Sequence, residues 1–72
     1  MMVEVFKTDV RDAENDTMLV RHIHQEFREW KANFDLEDCD NILRVASQES
    51  IDAGTLIALL HAHGFAAELL PD

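Results

Sequence analysis

The sequence predicts an α+β fold: a four-stranded antiparallel sheet with two helices packed on one of its faces. Three observations predict it. Short β-branched or alternating stretches recur near the start, the middle and the end of the 72 residues. Two stretches space their apolar residues three and four apart, as a half-buried helix requires. In chain order these read strand, helix, strand, strand, helix, strand.

The first strand is MVEVFKTDV, which ends near Asp9 or Val10. Val3 and Val5 share one face, and Glu4 and Phe6 the other, because side chains alternate along a strand. Val5 and Phe6 compete for the core, and a bulge near Lys7 would reverse the faces beyond it. The polar RDAENDT follows, rich in residues that favour turns and N-caps. Leu19, Ile23, Phe27 and Trp30 then form one stripe of a helix, expected from Ala13 or Asp16 to Glu29.

Ala32, Phe34 and Leu36 alternate with Asn33, Asp35 and Glu37, and Leu43 and Val45 alternate with Ile42, Arg44 and Ala46. Period two on both sides of an Asp/Asn cluster predicts a hairpin. With no Asn-Gly or Asp-Gly pair, its loop exceeds two residues. Ser50 or Ser47 is the expected N-cap of the second helix, with Asp52 in its first turn and Leu56, Leu59, Leu60 and His63 on its stripe. Gly54 is read as a point of close packing. Gly64 is read as the stop, since glycine takes the left-handed conformation freely. FAAELL is the last strand, ended by Pro71. Two βαβ-type halves around a central hairpin make a ferredoxin-like βαββαβ sandwich of strand order 4-1-3-2, in one domain over residues 1–72.

The net charge of −9 argues against nucleic acid and anionic membranes as partners. No apolar run approaches the roughly 20 residues that span a bilayer. A single cysteine excludes an internal disulfide. Glu4 and Lys7 interrupt the apolar run a signal peptide needs. The chain is expected to be soluble and cytoplasmic.

Beyond this point the chain resembles the heavy-metal-associated domain of copper chaperones and metal-transporting ATPases. ANFDLED is similar to the second strand of that family and ILRVAS to the third. LIALLHAHGFAAELL is close to its second helix and last strand, and Leu19 and Ile23 match apolar positions of its first helix. The family's working feature is GMxCxxC between first strand and first helix. Its two thiolates hold a soft cation. The matching positions here are near Asp12 and Asn15, and DVRDAEN has no Gly-Met pair. The resemblance therefore implies the fold and withdraws the usual activity. Cys39, in LEDCDN, is expected at the sheet end opposite that loop. Its carboxylate neighbours Glu37, Asp38 and Asp40 are read as a solvated turn.

His22-Ile-His24 and His61-Ala-His63 are two matching pairs. Helical neighbours two apart point about 200° apart, so neither pair chelates within its own helix. One histidine from each helix can meet across the helix layer. His22 with His61, and Glu26 one turn from His22, is the set considered for zinc or nickel, although no metal and no cofactor is expected. No nucleophile-base order, phosphate loop or dinucleotide fingerprint is present, so no enzyme is expected. With Val3 and Val5 turned toward the helices, Phe6 and Ile42 face outward, Leu70 joins them according to register, and Ile57 or Leu59 is partly exposed. These residues are the candidate interface for an unknown protein partner or for self-association.

Overall fold

The computed structural model describes residues 1–35 and 41–71. Six elements follow in order: β1 (Met2–Thr8), α1 (Ala13–Glu26), β2 (Trp30–Asp35), β3 (Ile42–Ser47), α2 (Ala53–Ala62) and β4 (Ala67–Leu69). The fold is α+β. One sheet has the order β2-β3-β1-β4, and every pairing in it is antiparallel. That is the expected 4-1-3-2 order counted from the other edge.

Cross-strand partners share a face, so the register sorts the sheet residues. Phe6 stands opposite Leu43 and Leu43 opposite Phe34, while Val45 stands opposite Ala32. Phe6, Leu43, Val45, Trp30 and Ala32 join Leu19 and Ile23 of α1 and Leu56 and Leu60 of α2 in one core. Both helices therefore lie on this face. Fully burying one such side chain stabilises by about 1.5–3 kcal/mol.

The first strand is turned over relative to the expectation. Phe6 is wholly buried, and Val3 and Val5 look outward. The pairing of β1 with β3 runs unbroken from Met2↔Ser47 to Lys7↔Ile42, without a bulge. The reason is size. A phenylalanine on a central strand removes more apolar surface from water than either valine, and a strand cannot bury both faces against one helix layer.

Two helix boundaries also differ. α1 ends at Glu26, not Glu29, and the N–H of Phe27 caps it by donating to Ile23 O at 2.8 Å. Trp30 belongs to β2, yet it stays in the core and its ring stacks on Phe27 with centroids 3.9 Å apart. A turn in which Trp30 N–H donates to Phe27 O reproduces the three-residue spacing of a helix. At α2 the N-cap is Asp52 itself, which accepts from Thr55 N, and neither Ser47 nor Ser50 serves. Ser47 instead accepts from Glu49 N at 3.1 Å. Gly54 does not mark close packing, since a Cβ there would meet only Asp52 Oδ1, at 3.4 Å. Gly64 ends α2 with φ of 89°, as its position implied.

Candidate functional site

Three places hold the chemistry the sequence singled out. The first is the corner between β1 and α1. Thr8 Oγ1 donates to Asn41 O at 2.7 Å and accepts from Val10 N at 3.3 Å. Asp9 reaches the start of β4, where Ala66 N donates to its carboxylate at 2.8 Å. Asn41, just before β3, and Ala66 thus sit at the same sheet end as this corner. Asp35, which ends β2, stands opposite Ile42, which begins β3, so these two strand ends are not at the opposite sheet end but at the same one as the corner. In an antiparallel sheet of this order β1 and β2 both run toward that end. Cys39 and its neighbours Glu37, Asp38 and Asp40 lie outside the described residues. Asn41 takes φ of 50°, which asparagine tolerates better than most residues.

In the corner itself Asp12 is the N-cap of α1. Its Oδ1 accepts Asn15 N and its Oδ2 accepts Asn15 Nδ2, each at 2.8 Å. The two positions that the sequence resemblance sets near the thiolate loop therefore satisfy each other. Asp16, half-buried beside them, has its carboxyl pushed above the ordinary range by desolvation. Hard oxygen and amide groups closed on one another give a soft cation nothing to hold.

The second place is the helix layer. His22 of α1 meets His63, not His61, with ring centroids 4.5 Å apart and planes tilted by 40°. His63 is the C-cap of α2, and its N–H donates to Leu60 O. His24 points the other way, toward the outer edge of β2, where its Nε2 accepts Ala32 N–H at 3.1 Å. That contact occupies a backbone donor that an edge strand leaves open. His61 and Glu26 are exposed. Among the described residues no three His, Cys, Asp or Glu side chains converge as a metal site.

The third place is the uncovered sheet face. Its residues form rows across the strands. One row is Lys31, Ala46 and Val3, the next Asn33, Arg44 and Val5, and the last Asp35, Ile42, Lys7 and Glu68. Ala46 is short, and between Val3, Lys31 and Arg44 it leaves a shallow depression of about 240 Å³. Val3 is 47% exposed. Arg44 pairs with Asp35 at 3.5 Å, both partly exposed. Such a pair is worth little in stability.

The expected interface residues fare unequally. Phe6 is core, so it cannot meet a partner. Ile42 lies on the open face as read, yet only 6% of it is exposed. Ile57 is half-buried and packs against the core. Leu70 lies beside Val5, to whose carbonyl its N–H donates at 2.9 Å, and is half-buried. Val3 escapes the sequence reading because that reading turns it inward; Lys31 and Arg44 fall on the open face by alternation, and nothing in the sequence alone brings them beside Val3. His63 stood on the second helix's own apolar stripe, and that was the available signal.

Among the described residues no helix is long and apolar enough to cross a membrane. Comparison with family models, with curated proteins and with solved structures found no match.

Proposed function

We propose that the chain is a ferredoxin-like, non-enzymatic binding module of the cytoplasm, similar to a heavy-metal-associated domain without its cysteine loop. Its open sheet face docks a partner segment that is both acidic and apolar. The observation that carries this reading is Val3, left exposed on an open face where it lines one depression over Ala46 together with Lys31 and Arg44. The chain as a whole carries 15 acids against 6 Lys and Arg. The described strands present Lys7, Lys31 and Arg44 outward against only Asp35 and Glu68. A face with three basic residues against two acids, on a protein that is acidic elsewhere, favours an anionic partner and disfavours pairing of that face with the same face of a second copy. The corner closed by Asp12 and Asn15 supports a role other than carrying a soft cation.

Selection of displayed random peptides on the immobilised protein tests this. Enriched binders should combine Asp or Glu with apolar residues and lose binding to the K31E/R44E variant. Binders that are basic, or that survive the double charge reversal, would overturn the docking face. So would self-association through it, seen as a concentration-dependent dimer in sedimentation that V3E dissolves.

A further inference from the structure

We propose that His22 and His63 form a two-imidazole site for a borderline divalent cation, Ni²⁺, Cu²⁺ or Zn²⁺, that bridges the two helices. The inference stands apart from the docking face, which lies on the other side of the sheet.

Four histidines sit in two His-x-His pairs, and helix geometry splits each pair. The fold then assigns each ring a different task. His24 is committed, since its Nε2 accepts the Ala32 N–H at the edge of β2. His61 is exposed and makes no ring contact among the described residues. His22 and His63 are left facing each other across the helix layer at 4.5 Å. Two imidazole nitrogens bound about 2.0–2.1 Å from one metal place their ring centres roughly 4.5–5 Å apart when they take adjacent coordination positions. The observed centroid separation of 4.5 Å falls in that range, and rotation of each ring about its own side-chain bonds is what aims one nitrogen of each at the ion.

Ligand chemistry selects the ion. Neutral imidazole suits nickel, copper and zinc, whereas calcium and magnesium take oxygen. No third protein ligand converges among the described residues, so water or a ligand from solution completes the coordination. Affinity then belongs to an open site and not to a closed structural one. The net charge of −9 favours approach of any divalent cation. A cation held only by the native arrangement of α1 and α2 also raises the unfolding free energy by mass action.

The test uses the full chain without an affinity tag. Titration calorimetry with the Ni²⁺, Cu²⁺ and Zn²⁺ salts should show one cation per chain for at least one of them. H22A and H63Q should each weaken binding by more than about tenfold, and H61A should leave it unchanged. A rise in melting temperature with metal should appear in the H61A variant and vanish in the other two, with circular dichroism checking that each still folds. If H61A weakens binding as much as H63Q, if H22A and H63Q bind as the parent does, or if no heat appears with any of the three salts, the site does not exist.

Discussion

Both carboxylate oxygens of Asp12 are held by one residue, Asn15, through its backbone N–H and its side-chain amide, each at 2.8 Å. An N-cap of this kind ties down a donor that the first turn of a helix otherwise leaves free. Asp12→Ala should therefore destabilise the protein by about 1 kcal/mol, read from urea unfolding.

The same pair offers a direct check on the family resemblance. A D12C/N15C variant places two thiols at the spacing of the family's metal loop, on a helix N-terminus that favours thiolates. It should gain Zn²⁺ or Cu⁺ binding that the parent corner lacks and that H22A does not remove. A double variant that folds and still takes up no thiophilic metal would count against the resemblance at this corner.

Asp9 ties the two ends of the chain together. Its N–H donates to Ala66 O at 3.3 Å and its carboxylate accepts Ala66 N at 2.8 Å. β4 has only three residues and lies at an edge, so it depends on such contacts. Asp9→Ala removes an exposed hydrogen bond to a charged group, and should cost about 1 kcal/mol. Hydrogen exchange should quicken first around β4, at the amides of Ala66 and Leu70 that flank it. Uniform loosening of all strands would be the contrary result.

The two glycines should respond with opposite signs. Gly64 holds φ of 89°, so Gly64→Ala forces a side chain into the left-handed region and should destabilise by about 1 kcal/mol. Gly54 is exposed in the first turn of α2, and an added Cβ meets Asp52 Oδ1 at an ordinary 3.4 Å. Gly54→Ala should stabilise by up to about 1 kcal/mol through helix propensity. Thermal unfolding of the two variants beside the parent decides both signs in one experiment.

Asp52 makes the stability of α2 depend on pH. Its carboxyl is held below the usual value of 3.8, first by the Thr55 hydroxyl and then by the backbone N–H groups of Thr55 and Gly54. A depressed folded-state pKa means the contribution is complete above the unfolded value and fades as pH falls through the folded one. Asp52→Asn should thus be less stable than the parent near pH 7. The gap in urea midpoint should close below the ordinary carboxylate range of about 4. Asp16 acts in the opposite sense. Its raised pKa disfavours the ionised form in the folded state, and acid relieves that penalty. A parent–variant gap constant from neutral pH to strong acid would refute the assignment of Asp52.

Much of the architecture was written in local pattern. Leu19 and Ile23 on one helix and Leu56 and Leu60 on the other were legible from spacing, and all four are fully buried. Leu43, Val45 and Ala32 followed from alternation. Gly64 announced its own turn. What failed were choices between two locally equal options. Trp30 fits a helical stripe and a strand equally well until Phe27 stacks on it. Asp52 and Ser50 are both good caps, and the position of the first helical turn selects between them.

The sequence by itself determined the kind and order of the elements, because periodicity and capping act over a few residues and need no distant partner. It determined too that the corner at Asp12 and Asn15 has no sulfur. Only the tertiary structure decided which side of β1 faces inward, which histidine meets His22, and where the basic residues gather. Each depends on how far an element turns or slides against its neighbour, and a strand that turns over exchanges core for surface without changing its composition.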